Sequence, residues 1–383
     1  MSRQNYSTLI KCLLKQSILN QKHHWWLSAV IWICLIFPSQ ALELRVAIKK
    51  NVADLKVGSS TSAIVKDGAG KPIGELNPMA ALAAQPQGNG IGLDRLNAGE
   101  IIIEPSQKDG LVWIGDRWYR GRTHLVRQGD TLTAINYVDL EDYLYSVVGA
   151  EAVATWPLEA LKAQAVAARS YALYKSSTER SSLYDLDTTI GTQVYKGLDT
   201  EYTTTHQAVN GTAGQVMTYN GKVILAAFHS SSGGHTENVE DVWTSPLPYL
   251  RAVVDYDQQS PVFQWDKVVS AQQMNNLIAG VGTIKTMVPE ETTPHGRVVN
   301  MKVVGDRGTT VVTGAELRKV LDLRSTLFRV TGDGANFRIY GRGFGHGLGL
   351  SQWGAYYLAK QGVKYAQILS HYYQQANLSQ INR

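Results

Sequence analysis

The chain reads as an α+β protein: a β-rich N-terminal lobe followed by a mixed α/β lobe that forms a cleft around one long helix. Three features carry that reading. Short β-prone runs separated by Gly, Asp and Pro crowd residues 42–130. One Ala-, Leu-, Gln- and Lys-rich segment, Pro157 to Lys175, then runs without internal Gly or Pro. Strand and helix patterns follow one another from there to the end. The 383 residues suffice for two or three domains at roughly 150 residues each. The divisions expected are a leader over 1–41, the β-rich lobe over 42–130 and the mixed region over 131–383.

The leader is expected from charge and hydropathy together. Arg3, Lys11, Lys15 and Lys22 precede a run from Trp25 to Phe37 that is apolar except for Ser28, and no acidic residue occurs before Glu43. This is the pattern of a signal peptide, with Ser39-Gln40-Ala41 offering small residues for cleavage. The apolar run is short for a spanning helix. An uncleaved anchor is the alternative, and both readings export the folded part to the periplasm or cell envelope. Cleavage after Ala41 leaves 33 basic against 32 acidic residues, a balance that argues against nucleic acid as a partner. Cys12 and Cys34 both lie in the leader, so the mature chain has no thiol for a disulfide, a nucleophile or a zinc site.

In order along the mature chain, LRVAIK (Leu44 to Lys49) alternates as a strand, and Ser62 to Lys66 is a second candidate. Pro78 to Gly92, rich in Ala, Gln and Gly, reads as a surface insertion. Ile101 to Ile103, Leu111 to Ile114, His124 to Val126 and Leu132 to Tyr137 complete the β-rich lobe. The helix from Pro157 opens with proline at its first turn, where no hydrogen bond is lost. Leu158, Leu161, Ala165, Ala168 and Ala172 form an apolar stripe of mostly small side chains. Gln215 to Tyr219 and Lys222 to Phe228 flank Asn220-Gly221, a tight-hairpin dipeptide. That hairpin leads into His229-Ser230-Ser231-Ser232-Gly233-Gly234-His235, which is either a ligand-approaching loop or a flexible connection. Val298 to Val304 reads as a strand, and Thr313 to Glu316 has capping-box spacing ahead of a short helix. Asn336 to Tyr340 is a strand that runs into glycines at 341, 343, 345, 347 and 349, suggesting extended backbone against a partner. Gln352 and Trp353 open a helix that Gly362 ends, and Tyr365 to Tyr373 is the last helix.

Chemistry is narrowed mainly by what is missing. There is no GxSxG elbow, no HExxH and no evident histidine cluster with metal-ligand spacing, and no GxGxxG fits the glycine run. No cofactor or metal is expected. Glu151 follows the apolar Tyr145, Val147, Val148 and Ala150, where a carboxyl group would lose water and gain the raised pKa of a general acid. The competing reading is a surface glutamate near a helix start, favoured there by the dipole. His346 has a similar pair of readings, proton transfer or a hydrogen bond that holds the glycine loop.

The blocks LEDYL, VVGAE and WPLEALKAQAVAARSYAL between Leu140 and Leu173 resemble the signature of the SpoIID/LytB family of stage II sporulation protein D and amidase-enhancer proteins. FHSSSGGHTENVEDVW with PYL, and GRGFGHGLGLSQWGAYYLAKQG, resemble the family's second and third blocks, while the match before Asp139 rests on LRVAIK and Tyr119 to Gly121. The resemblance implies a lytic transglycosylase of peptidoglycan, or a wall-binding enhancer of an amidase, with the family's catalytic glutamate at Glu151. It implies peptidoglycan glycan strands as the partner, with a wall amidase or other envelope protein beside them. Some family members carry Cys and His in the segment corresponding to Asp185 to Tyr195. Here Asp187, Ile190 and Thr192 stand at those ligand positions, so a zinc site is not carried over. Ordinary glycoside hydrolysis needs two carboxylates, and no obvious second one is present, since Glu159 suits a helix start and Glu141 and Asp142 look solvated or capping. A transglycosylase manages with one, because the sugar's own 6-hydroxyl attacks. Arg169, Tyr171, Ser230, Ser232, His346 and Gln352 are the expected substrate-binding residues beside Glu151.

Overall fold

The alternation at LRVAIK becomes a ten-residue strand, Glu43–Val52, in a computed structural model that describes residues 42–179, 181–188, 192–243, 245–332 and 335–381. The expected leader, with both cysteines, and Ile190 lie outside the described residues. Glu43–Val52 pairs antiparallel with Thr131–Asp139, setting Leu44 opposite Val138. It belongs to a seven-stranded sheet in the order 186–187, 43–52, 131–139, 122–128, 100–105, 63–67, 72–76. A six-stranded sheet packs against it through a shared core that includes Val46, Val65, Ile103, Val57, Ile91 and Ile114.

Residues Pro78 to Gly92 are not a surface insertion. They supply the strand Ala81–Gln87 and most of Gly90–Leu93 to the six-stranded sheet, with Ala84 and Ile91 fully buried. Alanine and glycine occupy ladder positions where β-branched residues give the usual strand signal, so tertiary packing overrides weak local propensity.

Strand passes directly into helix at Asp139, whose carboxylate accepts the Glu141 N–H at 2.8 Å and so caps helix α1, Leu140–Glu151. Tyr143, Leu144, Val147 and Val148 recur at helical spacing and enter the N-terminal core. Helix α2, Leu158–Thr178, follows with Pro157 as its cap. Its expected stripe is only one of two buried faces. Leu161, Ala165, Ala168 and Ala172 enter the first core, whereas Ala160, Ala163, Val166 and Ala167 enter a second with Met217, Leu350 and Ile368. Leu158 stays 39% exposed. Small residues around the circumference let both cores approach α2 closely, and an inserted larger side chain would cost about 1–3 kcal/mol of overpacking.

The hairpin at Asn220-Gly221 forms, with φ of 49° and 74°. Its return strand is only Lys222–Val223; the chain then leaves the ladder, and Phe228–His229 pairs instead with Leu350–Ser351 in parallel. A third core lies among the carboxyl-terminal strands, with Met301, Val303, Leu317, Phe337 and Ile339 at its centre. Thr313 and Glu316 exchange the expected capping-box bonds ahead of Gly314–Val320. Helices Gln352–Lys360 and Tyr365–Tyr372 close the second core, and Asn377–Gln380 pairs with Gln215–Tyr219. Leu42–Ile381 is one compact unit of α+β architecture.

Candidate active site

Glu151 is the last residue of α1, not a residue near a helix start. The carbonyl end of a helix carries negative partial charge, which disfavours a carboxylate. Burial pushes its pKa up, offset in part by the Val194 N–H, the Gln352 amide and the Lys196 charge. The Val194 N–H donates to Glu151 Oε1 at 2.9 Å. That segment is itself pinned, because Gln193 accepts from the Tyr143 hydroxyl at 3.1 Å and donates to the Ala168 carbonyl at 3.2 Å. Glu151 therefore sits on a support shared by α1 and α2.

A cavity of about 540 Å³ opens over this carboxyl, and Tyr171, Ser230, His346 and Gln352 line it with Glu151. Five of the seven expected site residues thus meet in one cleft. Arg169 does not. Its side chain is wholly buried, with Nη2 donating to Glu141 Oε2 at 2.6 Å and Nη1 to the Gln215 carbonyl at 3.1 Å, so it ties α2 to α1 and to the hairpin. Glu141 is correspondingly an ion-pair partner of Arg169, and the solvated or capping role expected for it falls to Asp139 as cap. Ser232 is also displaced from the expected role. Its hydroxyl is fully buried and donates to Asp255 Oδ2 at 2.6 Å, beneath the loop.

The serine–glycine loop and the glycine run hold each other. Ser231 exchanges backbone hydrogen bonds with Phe344 at 3.0 and 2.7 Å. The glycine run is not extended backbone: Gly343, Gly345, Gly347 and Gly349 all have positive φ. Gly345 shows why the residue type is required, since a Cβ there would meet His229 Cβ at 2.7 Å.

His346 Nε2 donates to the Phe228 carbonyl at 2.9 Å and Nδ1 accepts the Leu348 N–H at 3.0 Å. Both ring nitrogens are occupied by backbone, and burial with the nearby Arg297 charge holds its pKa down to about 4. The ring is a neutral brace between the two loops, the second of the readings open from sequence. Tyr171 packs edge-on to Phe228 with ring centroids 6.1 Å apart, and burial pushes its hydroxyl up to about 12, aided by the Glu179 and Glu151 charges.

Sequence reasoning missed three contributors to the cleft. His229 Nδ1 donates to the Leu348 carbonyl at 3.0 Å, leaving Nε2 buried without a partner, while burial holds the ring neutral. Its place in the serine loop was the available signal. Trp243, 42% exposed, offers an aromatic face to the cleft, and Arg318 enters from the capping-box helix with no local motif to mark it. Asp187 and Thr192, at the positions compared with zinc ligands, bond each other at 3.0 Å, and Asp187 pairs with Lys50 at 2.6 Å. Among the described residues no group of three His, Cys, Asp or Glu side chains is placed to hold a metal.

Comparison with known proteins shows which family the chain belongs to. The family model described as "Stage II sporulation protein" matches residues 128–219, and one described as a domain of unknown function matches 250–349. The chain is 34% identical to stage II sporulation protein D of Bacillus subtilis over 267 residues, covering 64% of this chain and 76% of that protein. It is 34% identical over 291 residues to an uncharacterized protein of Brachyspira hyodysenteriae, covering 74% of this chain and 77% of that protein. To the amidase enhancer of Bacillus subtilis it is 30% identical over 285 residues, 60% of this chain and 39% of that longer protein. The chain belongs to the SpoIID family.

Proposed function

We propose that the protein is an exported lytic transglycosylase that cuts the MurNAc–GlcNAc bond of peptidoglycan without consuming water. The observation that carries this reading is that Glu151, desolvated and with a raised pKa, is the one carboxylate among the described residues lining the cleft. A two-carboxylate hydrolysis has no second acid to draw on there. In the proposed reaction protonated Glu151 donates to the glycosidic oxygen as the bond to the anomeric carbon breaks. The 6-hydroxyl of the same MurNAc attacks that carbon, and the Glu151 carboxylate takes the hydroxyl proton. The products are a free GlcNAc hydroxyl and a 1,6-anhydro end, so the proton balance closes on one residue. Trp243 and the exposed ring of Phe344 suit sugar faces, and His229 Nε2 is an acceptor for a sugar hydroxyl or amide.

The test is Glu151→Gln, which keeps shape and hydrogen bonding but exchanges no proton at neutral pH. Loss of general acid and base assistance should reduce anhydro-muropeptide release by about 10²- to 10⁴-fold or more, with folding and glycan binding preserved. Mass spectrometry separates the outcomes, because hydrolysis adds water and intramolecular attack does not. Glu159→Gln should retain most activity. Equal release by wild type and Glu151→Gln defeats the assignment. The likeness to a protein named amidase enhancer supports a second reading, a non-catalytic module that stimulates a wall amidase. No release by either protein, with stimulation of an amidase by both, would favour it.

A further inference from the structure

The strand that feeds the glycine loop, Asn336–Arg342, is the middle strand of a three-stranded sheet with Gln264–Ser270 and Phe328–Gly332. Phe337, Ile339 and Gly341 are buried, so Arg338, Tyr340 and Arg342 face the other way. Cross-strand register sets Arg329 and Asp266 opposite Tyr340, and Gln264 opposite Arg342, on that outer face. A cavity of about 630 Å³ opens there, walled by Trp265, His295, Arg329, Tyr340 and Arg342, with Asp266 its one carboxylate.

This cavity adjoins the catalytic cleft through the chain itself. Arg342 lines one and Phe344 the other, a separation of at most about 7 Å along the backbone. Trp265 Nε1 donates to the Gly343 carbonyl at 2.9 Å between them, and the Arg324 guanidinium lies over the Phe344 ring at 5.9 Å. Arg318 continues the band into the cleft.

Solvated arginines commonly meet acids, and Arg45, Arg117, Arg120 and Arg122 of this chain each do. Arg324, Arg329 and Arg342 are exposed, and with Arg318 they have no carboxylate partner among the described residues. Arg329 is also held over the Tyr340 ring at 5.3 Å, which fixes the direction of its fork. Unpaired guanidinium forks beside a polar, aromatic-walled cavity are suited to bidentate recognition of carboxylates.

We propose that this face and its cavity form a carboxylate-binding extension of the cleft, taking acidic groups of the same peptidoglycan strand whose sugars occupy the Glu151 site. The inference rests on the function proposed for that site. The carboxylates come from the stem peptides or, where these have been removed, from the lactyl groups then left free on the glycan.

The experiment is co-sedimentation of Glu151→Gln protein, which binds without turnover, with and without Arg324→Glu, Arg329→Glu and Arg342→Glu. Three solids are compared: intact sacculi, glycan strands freed of stem peptides by an amidase and immobilised on beads, and chitin, which has no carboxylate. The triple change should weaken binding to at least one of the two wall samples by about tenfold or more, leave chitin unaffected and abolish the salt sensitivity of the parent. Weakening confined to the amidase-freed strands, whose lactyl carboxyls are amide-bound in the intact wall, assigns the lactyl groups, weakening confined to intact sacculi assigns the stems, and weakening on both assigns both. The neutral pair Arg329→Gln with Arg342→Gln, at an unchanged melting temperature, should show a smaller loss in the same direction. Equal sedimentation of parent and triple variant overturns the proposal, as does an equal loss on chitin or a parent that binds neither wall sample. Because turnover is absent from the assay, failure of wild type to release anhydro ends bears on the catalytic reading and leaves this result interpretable.

Discussion

Arg169→Leu separates a structural arginine from a substrate-binding one. In the folded protein the guanidinium is wholly buried, with Nε and Nη2 donating to Glu141 at 3.0 and 2.6 Å, and with the Gln215 and Val209 carbonyls as further acceptors. Leucine leaves the Glu141 carboxylate without that cation and deprives the two carbonyls of that donor. Removing one partner of a buried pair costs about 3–5 kcal/mol. The folded unit, Leu42–Ile381, gains roughly 0.7 kcal/mol per kelvin of unfolding entropy at about 2.1 cal/mol/K per residue, so the melting temperature should fall by about 4–7 °C. Scanning calorimetry measures this, and anhydro-product release is assayed well below both transitions, where activity per folded molecule should be close to wild type. Adding Glu141→Leu should recover much of the loss, because an apolar pair replaces an ion pair at little cost. An unchanged melting temperature with abolished release would refute the reasoning and return Arg169 to the substrate.

Three further outcomes follow from the site. The Glu151 pKa is raised by burial, so its contribution to stability is fully present below the unfolded-state value and is lost as pH rises through the folded one. Glu151→Gln should therefore match wild type in acid and become relatively more stable towards neutral pH, measured as urea midpoints across pH 4 to 8; an advantage that grows in acid contradicts the sign. His346, held down to about 4, should contribute no inflection near the ordinary histidine value to the pH–rate profile. An inflection there that His346→Asn removes would restore it as a proton carrier. Gly345→Ala, at a φ of 114° and with its new Cβ 2.7 Å from His229 Cβ, should lose about 1–3 kcal/mol in chemical denaturation; unchanged stability would show that the two loops part easily.

Much of the fold was legible wherever local chemistry and tertiary demand agree. The Asn220-Gly221 turn, the Thr313 capping box and the long α2 all announce themselves. The Ala- and Gly-rich strands at 81–87 and 90–93 do not, because their burial comes from neighbouring strands and not from their own propensity. In the site, Glu151, Ser230 and Gln352 were marked by family blocks, and the cleft joins them. Arg169 and Ser232 sit in the same blocks yet serve the scaffold, since a sequence pattern records that a side chain is required and not which way it points. Arg318 reaches the cleft from a helix whose only local signal is its cap, so no reading of its neighbours finds it.

Glu151 and Glu159 show how position sets chemistry within one stretch of chain. Glu159 lies in the first turn of α2, where the helix dipole favours its charge. Although partial burial opposes ionisation there, the Tyr365 N–H at 3.0 Å and Lys162 at 3.2 Å hold its pKa below the usual range. Glu151 ends α1, where the dipole opposes charge, and it is closed in by α2, the Val194 segment and the loops carrying Phe228 and His346. Burial dominates and its pKa rises. Environments that push neighbouring carboxyl groups apart in this way assign one to hold a proton and the other to hold a charge. The proton-holding group is the one that faces an open cleft, whereas the charge-holding group fastens α2 to the helix at Tyr365. Among the described residues that line the cleft, Glu151 is thus the one carboxyl group, and its surroundings favour the protonated form.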